Sequence, residues 1–321
     1  INLGLDFSTK GNILSGTTEY INKDGIDLLQ PTPLAPQTVV LPHPSNAAST
    51  KSKPLDITLQ SQNINKTFKW SSTLLYSTIS NKIVAYDKEP TANSIQSSKA
   101  LFLDKPMYSI FSYRWAGLDP ENGDPQGILN GVESKDYNAI INNYDADSLL
   151  FHGTSRPKHY GTLRNDFSYK GFSLSINIAF KLAYFYRNPT TSLNYTDILT
   201  YGQYEDFPDR WQTPGDEQHT TVPSLTYPSN SSRNTFYKYS EVLVERADHI
   251  RLQDIRIAYN FPKNMLSNLK IDNLSIYTYL NNLGILWRAN NNNIDPDVNP
   301  IGGTVFYEIP FSFATGIKIG F

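Results

Sequence analysis

Cysteine is absent from the 321 residues of the chain, and its absence removes several classes of chemistry at once. Without thiols there is no disulfide, no thiolate nucleophile and no cysteine-based zinc or iron–sulfur centre. Charge of one sign is also lacking, because 28 Lys and Arg stand against 30 Asp and Glu, a formal net charge of -2. No basic field therefore indicates a nucleic-acid partner.

Long hydrophobic runs are missing as well. No stretch approaches the roughly 20 apolar residues of a membrane-spanning helix, which excludes helical insertion into a bilayer. No secretory leader opens the chain. The sequence starts without Met on INLGLDFS, which already alternates like a strand. We therefore expect Ile1 to be an internal position of a longer precursor.

Signals of catalysis are scarce. The five His are scattered, neither Gly-x-Ser-x-Gly nor His-Glu-x-x-His occurs, and His152 and His159 lack a metal-ligating spacing. Carboxylates are plentiful in the connecting segments, but without a pocket geometry they do not define a glycosidase pair. The sequence predicts neither an enzyme nor a bound cofactor.

Alternation of apolar and polar side chains is the dominant pattern that is present. Aromatic residues make up 13% of the chain, with 21 Tyr, and this composition favours β-structure. In FSLSINIAFKLAYFY, Phe172, Ile176 and Phe180 share one face, whereas Ser173 and Asn177 lie on the other, as a strand between two different solvents requires. Together with the strand that leads into YKG at 169–171, similar segments at 1–7, 14–20, 55–59, 68–76, 255–261, 274–280 and 311–321 give nine strands.

Short and long connections alternate along the chain. TKGN, NINKT, YKG and PKNMLSNLKID are short. The long segments, rich in Pro, Asn, Gly and Asp, lie near 30–53, 88–156, 188–245 and 288–309. An antiparallel meander then has all short turns at one end and all long loops at the other. This arrangement predicts an all-β transmembrane barrel with periplasmic turns and extracellular loops, whereas a soluble sandwich has no reason to segregate loop lengths.

The odd number of strands carries further information. Closed bacterial barrels use an even number, so that both termini reach the same side. Nine strands that end at the short-turn side predict a first strand running inward from the long-loop side. The chain is therefore expected to begin in mid-barrel, because an open sheet edge in lipid leaves backbone groups unpaired.

Six ordered motifs also resemble a known family. They cover nearly the whole chain and are INLGLDFSTKGNILSGTTEYINKDGIDLL, WAGLDPENGDPQG, NDFSYKGFSLS, DRWQTPGD, ERADHIRLQDIRIAYNFP and DPDVNP. In this order they are similar to the C-terminal part of SusC/RagA-like TonB-dependent transporters of Bacteroidetes outer membranes. One departure is KSKPLDITL at 51–59, where Pro54 replaces a glycine of the family pattern and is expected to distort the start of the strand.

The resemblance implies the rest of the architecture. Residues 1–321 would form the last nine strands of a 22-stranded plugged barrel, with the N-terminal plug and the first strands outside this chain. It implies the outer membrane as location, with the C-terminus at the periplasmic side. It also implies four partners: a SusD-like lipoprotein, the TonB complex acting through the missing N-terminal region, outer-membrane lipids, and the barrel-assembly machinery, for which the terminal aromatic Phe321 would be the signal. The alternative is that Phe321 is one more lipid-facing residue.

Two motifs offer candidate substrate contacts. DRWQTPGD presents Trp211 for stacking on a sugar ring or peptide, with Asp209 and Arg210 as polar partners, and Trp115 is interpreted in the same way. The alternative, which we favour, is that both Trp side chains pack a loop onto the barrel rim or the lid.

Acidic residues in two loops suggest calcium, but weakly. GLDPENGDP brings Asp119, Glu121 and Asp124 within one loop, a spacing that offers oxygens to Ca²⁺. The Asp-Pro and Asn-Gly pairs are also strong turn formers, and we favour a hairpin turn. The same interpretation applies to Asp295 and Asp297 in NNNNIDPDVNP.

ERADHIRL places four charges at the mouth of a strand. Glu245, Arg246, Asp248 and Arg251 are expected to face the lumen, where we favour charge pairing that holds the wall to the plug over substrate binding.

Three functions fit the sequence. The favoured one is an active, TonB-energised importer of oligomeric nutrients such as glycans or peptides. The others are a passive porin and a soluble β-rich carbohydrate-binding protein or hydrolase. The cargo is not readable from sequence, because the loops that contact it are the variable part of such a fold.

Overall fold

The computed structural model describes residues 1–32, 43–87, 89–97, 100–143, 145–188, 193–201, 206–266, 271–292, 294–298 and 309–320. The strands in chain order are β1 (Asn2–Ser8), β2 (Leu14–Ile21), β3 (Lys23–Thr32), β4 (His43–Asn65), β5 (Phe68–Tyr86), β6 (Ser109–Ser112), β7 (Trp115–Leu118), β8 (Pro125–Leu129), β9 (Val132–Ser134), β10 (Leu150–Thr154), β11 (His159–Tyr169), β12 (Phe172–Leu182), β13 (Phe185–Arg187), β14 (Val244–Arg246), β15 (His249–Asn260), β16 (Asn273–Arg288) and β17 (Ser312–Gly320). The helices are α1 (Tyr137–Ile141), α2 (Tyr195–Tyr201), α3 (Ser231–Lys238) and α4 (Lys263–Leu266). None of the helices in these ranges is long and apolar enough to cross a membrane.

Nine strands form one antiparallel sheet, in the order β1-β2-β4-β5-β11-β12-β15-β16-β17. This confirms the predicted count and the meander, because, apart from β3, every neighbour on the path is also the next strand of seven or more residues along the chain. A tenth strand, β3, continues β2 along the same partner, β4. The outermost strands are β1 and β17, so the sheet is an open segment of wall.

The turn at YKG shows why the short connections can be so short. Tyr169 and Phe172 are paired, and the two residues between them, Lys170 and Gly171, have φ of 44° and 89°. Two positive φ angles give the type of two-residue turn that matches the twist of paired strands. A Cβ on Gly171 would lie 2.6 Å from the carbonyl oxygen of Asn260, so only glycine fits without displacement.

One predicted loop is wrong in part. β3 runs to Thr32 and β4 begins at His43, so much of the segment near 30–53 is strand. Pro54 lies inside β4, and the register with β5 is continuous through it. Pro54 has no backbone N–H to donate, and it lies opposite the junction at which β2 ends and β3 begins. Alternation fades in this extension because Ala48, Ile83 and Leu101 cover its inner face with a small core.

Aromatic side chains form two rows on the outward face of the sheet. Near the short turns, ring centroids lie 5.8 Å apart for Trp70 and Phe167 and 4.4 Å apart for Phe172 and Tyr259. Towards the long connections, Tyr76 and Phe180 lie 6.4 Å apart. Eight residues of β12 separate Phe172 from Phe180, about 26 Å along a strand. With the tilt of barrel strands, this spacing suits an apolar band about 25 Å tall between two aromatic girdles.

The largest hydrophobic core lies in the connections and not in the sheet. The two long segments after β5 and after β12 pack together through the buried side chains of Ala92, Phe102, Phe111, Tyr113, Tyr137, Ile140, Ile141, Leu149 and Phe236. The rings of Phe102 and Phe111 are 4.0 Å apart. These segments, predicted as loops, are therefore a folded unit at one end of the wall.

The two faces of β12 should respond differently to a charge. Ile176 lies midway between the aromatic rows on the outward face, so Ile176→Arg should cost about 2–4 kcal/mol. Ser175→Arg, one residue away on the polar face, would lie between Asp166 on β11 and Arg256 on β15. It should be tolerated, because this face borders the polar lumen and the added charge keeps contact with water. Asn177 is a poorer control, because it is buried and donates to Asp254 at 2.8 Å. The measurement is the fraction of heat-modifiable, folded barrel in isolated outer membranes, and equal loss in both variants would reverse the assignment of the faces.

Candidate functional site

A buried charge network lies at the start of β15, where the wall meets the long connections. Arg251 is 4% exposed, and its Nη2 lies 2.5 Å from Oδ2 of Asp295, itself 9% exposed. Its Nη1 donates to Oδ1 of Asn282 at 2.7 Å, and its Nε lies 3.6 Å from Oδ2 of Asp297. A guanidinium presents several donors in a fixed plane, so one side chain joins two strands and the segment 294–298.

Two further side chains contact the carboxylate of Asp297. Lys181 Nζ on β12 lies 2.5 Å from one carboxylate oxygen, and His249 Nε2 lies 3.2 Å from the other. The other ring nitrogen of His249 lies 3.0 Å from the carbonyl oxygen of Ala247. Burial raises the pKa of Asp297, but the hydrogen bonds from His249 and Lys181 outweigh it and hold the pKa well below its usual range. Asp297 therefore stays ionised and bound.

Asp248 stabilises the bend between β12 and β13. Its Oδ1 accepts from the backbone N–H of Ala183 at 2.5 Å and of Tyr184 at 3.3 Å. Ala183 has a φ of 61°, which is unfavourable for a residue with a Cβ. Arg246, whose side chain is 60% exposed, pairs with the other oxygen of Asp248. The buried carboxylate thus compensates a strained backbone position.

Glu245, next to Arg246 in the chain, is a further, half-buried acceptor beside the network. It accepts from Asn188 at 3.0 Å, from Asn292 at 2.5 Å and from the hydroxyl of Tyr186 at 3.3 Å. Burial raises the pKa of Glu245, although the hydrogen bonds from Tyr186 and Asn188 act in the opposite direction.

The structure therefore brings Glu245, Arg246, Asp248 and Arg251 to one place, with partners within this chain. The turn predicted at Asp295 is present, since the N–H of Asp297 donates to Oδ1 of Asp295 at 3.0 Å. What the sequence reasoning missed is that the same turn supplies the carboxylates for Arg251. The only available signal was two aspartates in one motif and two arginines in another, and their contact is long-range.

The acidic hairpin 119–124 uses its carboxylates for ion pairs. Asp119 binds Lys135, and this hydrogen bond together with the N–H of Glu121 lowers the pKa of Asp119. Asp124 Oδ1 lies 2.6 Å from Nε of Arg233. Within the described ranges no group of three or more His, Asp or Glu is placed to hold a metal ion. The predicted turn is present, with the N–H of Gly123 donating to the carbonyl oxygen of Asp119 at 2.8 Å.

Trp211 packs onto this hairpin. Its side chain is 8% exposed and its Nε1 donates to Glu217 at 3.3 Å. Gly123 has a φ of 68°, and a Cβ there would lie 2.4 Å from the ring of Trp211. The Asn-Gly pair is therefore required both for the turn and for the close approach of the indole. Beside it, Arg210 stacks on Phe207 with its Cζ 4.3 Å from the ring centroid, and Asp209 is exposed.

Trp115 lies between the largest core of the folded connections and a smaller one formed by Leu193, Tyr237 and Leu243. Its ring is 6.4 Å from that of Phe236 and 6.0 Å from that of Tyr237. Its backbone N–H donates to Glu241 at 3.3 Å. Both Trp side chains are therefore packed within the folded connections.

Arg233 is a buried residue that sequence reasoning did not single out. It lies on α3, whose first turn is capped by Asn230 Oδ1 accepting from Ser232 and Arg233 N–H at 3.0 and 3.1 Å. Its Nη2 donates to the carbonyl oxygen of Ser224 at 2.8 Å. Together with the pair to Asp124, these bonds join both long connections. Phe321, the predicted assembly signal, lies outside the described residues.

The geometry defines a class of structure: an antiparallel, outer-membrane-type barrel wall whose long connections fold into a unit at one end. No protein-family model matches the chain. In sequence it is similar to the TonB-dependent receptors P3 and P26 of Formosa agariphila. P3 is 24% identical over 310 residues, covering 88% of this chain and 29% of P3. P26 is 23% identical over 329 residues, covering 93% and 31%.

Solved structures point the same way. The RagAB peptide transporter matches 99% of this chain and 34% of its own with a TM-score of 0.76 at 19% identity. The RagAB peptide importer in an open-open state matches 100% and 34% with a TM-score of 0.72. The chain thus spans about a third of the length of these proteins. The predicted resemblance to SusC/RagA-like TonB-dependent transporters is confirmed, and the chain has the fold of the C-terminal part of their barrel.

Removal of Arg251 should release the segment 294–298. Arg251→Met leaves Asp295 buried without its cation, a change that typically costs about 3–5 kcal/mol. Arg246→Met is the matched control from the same motif, since the side chain of Arg246 is 60% exposed and the buried Asp248 keeps its two backbone donors. The measurement is hydrogen exchange at the amides of Asp297 and Val298 in the purified full-length protein. Similar exchange in the two variants would show that the network does not hold the segment.

Proposed function

We propose that the full-length protein is an outer-membrane importer of oligomeric nutrients, glycans or peptides, energised by TonB and working with a SusD-like lipoprotein. In this proposal residues 1–321 are the C-terminal portion of the barrel, and the plug and first strands lie elsewhere in the protein. The observation that carries it is the match of nearly the whole chain to the RagAB peptide transporter. The similarity to two TonB-dependent receptors supports the energy source.

The inner side of the wall favours an importer over a porin. A passive porin keeps a water-filled lumen at its mouth. Here Arg251, Asp254 and Asp295 are all less than one tenth exposed, because the segment 294–298 and the folded connections pack against the inner face. Buried ion pairs that hold a long connection against the inner face suit regulated entry. In the same proposal, Trp211 and Trp115 shape the mouth by packing, and Asp209 and Arg210 are the side chains available to cargo.

Orientation follows from the same proposal. The short turns would face the periplasm and the folded connections the cell exterior, which places the C-terminus at the periplasmic side. Catalytic groups have no part in this function, and the relatives are receptors and transporters.

The test is uptake by cells that carry the full-length gene or its deletion. Fluorescent oligopeptides and oligosaccharides are supplied separately, and accumulation of one class should fall on deletion and on collapse of the proton-motive force. Purified protein in liposomes should not pass small neutral sugars. Leakage in liposomes together with uptake that survives loss of the proton-motive force would establish the porin instead. Recovery of a lipoprotein with the affinity-purified transporter tests the partner.

The role of Phe321 in assembly is a separate proposal. Deletion of Phe321 should lower the amount of folded protein in the outer membrane by more than the lost burial of one side chain explains. Full burial of a Phe side chain stabilises a protein by roughly 1.5–3 kcal/mol. Phe313→Ala is the control, because it removes a ring that is 71% exposed on the outward face of β17 and leaves the terminus intact. The readout is the ratio of membrane-inserted to periplasmic protein. Equal insertion of both variants would leave Phe321 as a lipid-facing residue only.

A further inference from the structure

Charges on the outward face of the sheet are confined to one place. Over the described positions of the nine-stranded path, the outward Lys, Arg, Asp and Glu residues are Lys51, Lys53 and Lys82. All three lie on β4 and β5 at the end of the long connections. The other charged side chains of these strands, such as Asp166 and Arg256, lie on the inward face.

The three lysines lie close together although their like charges repel one another. Lys51 is directly opposite Lys82 in the antiparallel register, and Lys53, opposite Ser80, is two residues further along the same face. Like charges in directly opposed positions destabilise a sheet. A site that keeps them together is therefore suited to an anion.

Two carboxylates flank the group without neutralising it. Asp24 lies 3.8 Å from Lys51, and Asp104 lies 2.7 Å from Lys82, with the lysine side chains 46% and 52% exposed. Within the described part of the chain Lys53 makes no ion pair. Such exposed pairs are weak and exchange readily with another anion. One positive charge remains in excess at the centre of the group.

The height of the group relative to the apolar band identifies the anion. Tyr76 belongs to the aromatic row at this end of the band, and Lys53 faces Ser80, four residues beyond Tyr76 and about 13 Å along the strand. The headgroup zone adds several ångströms beyond each side of the hydrocarbon, and lysine stems extend so that their ammonium groups reach that zone. The ammonium group of Lys53 therefore reaches the headgroup zone, and Lys51 and Lys82 lie one row further out on the same face.

We propose that Lys51, Lys53 and Lys82 bind the phosphate groups of a lipid A-type glycolipid in the outer leaflet. The proposal rests on the outer-membrane location and on the outward orientation of the long connections proposed above. Ammonium groups act as compact point charges towards phosphate. Three of them on adjacent strands can contact phosphates on one headgroup, whereas the apolar residues of the band below contact its acyl chains.

The test is binding of diphosphoryl lipid A to the full-length protein in detergent, followed by native mass spectrometry. In the triple variant Lys51→Gln, Lys53→Gln, Lys82→Gln, the affinity for lipid A should fall by at least about ten-fold, given the attraction of each lysine to an anionic surface. The control replaces Lys66, Lys69 and Lys170 by Gln at the short-turn end of the same wall and should bind normally. Heat-modifiable migration shows that both variants are folded.

Two further lipids test whether the protein recognises the phosphates of lipid A. Lipid A without phosphates should bind to the unchanged protein as weakly as intact lipid A binds to the triple variant, and phosphatidylglycerol should not substitute for lipid A. Equal binding of lipid A by the triple variant and the unchanged protein, or equal binding of the phosphate-free lipid, overturns the proposal. Preference for phosphatidylglycerol overturns the assignment to the outer leaflet. Binding is measured without transport, so a negative uptake assay would remove the proposed function and leave this result standing.

Discussion

A bilayer offers no hydrogen-bond partner to a peptide group, and the whole wall depends on that constraint. Each strand between β1 and β17 is paired along both sides, and short turns such as Lys170–Gly171 keep sequence neighbours paired without a crossover. Pairing also fixes the faces, because a shift of one residue would move every side chain to the other side. Where the register does shift, beside Gln253 on β15, the extra residue lies between Leu252 on the outward face and Asp254 on the inward face.

The same constraint explains why the hydrophobic core lies away from the sheet. Outward apolar side chains such as Leu5, Phe172 and Ile317 are exposed in the isolated chain, since their burial is completed by lipid and not by another protein layer. Burial within the protein is left to the long connections, which must become compact by their own contacts. Phe236 and Tyr237 on α3 are fully buried there, and Arg233 on the same helix joins both connections through Asp124 and Ser224. Hydrophobic packing and a buried ion pair therefore act together in a unit that the membrane does not stabilise.

Local sequence pattern predicted most of the strands of the sheet but few of the contacts in the candidate site. The strands could be predicted because alternation is a property of a few consecutive residues, as in Phe172 to Tyr184. Loop length was the second local signal, and it located the ends of the strands. The exception was the extension of β4 above the membrane, since its faces no longer separate lipid from lumen and alternation is lost. The partners of Arg251 and Trp211 could not be predicted, because Asp295 and Gly123 lie 44 and 88 positions away and meet them only through the fold. Asn122 and Gly123 were correctly interpreted as a turn, but a turn signal does not say what packs against the turn.

Location decides what a charge does in this wall. On the inward face, Arg251 is almost fully buried and is tolerable because Asp295 and Asn282 accept hydrogen bonds from it and Asp297 adds a second carboxylate 3.6 Å from its Nε. That arrangement is costly to break and holds a segment of a long connection in place. On the outward face, Lys53 has the same sign of charge and makes no ion pair with the residues that the structure describes. This is acceptable because Lys53 lies beyond the apolar band, where water and headgroups remain available. A lysine at the position of Leu59, six residues further along β4 towards the short turns, would have neither water nor headgroups within reach. Cations of the sheet are thus buried against carboxylates where the protein closes over the inner face, as at Arg251, and stay exposed to water where the membrane surface begins, as at Lys51, Lys53 and Lys82.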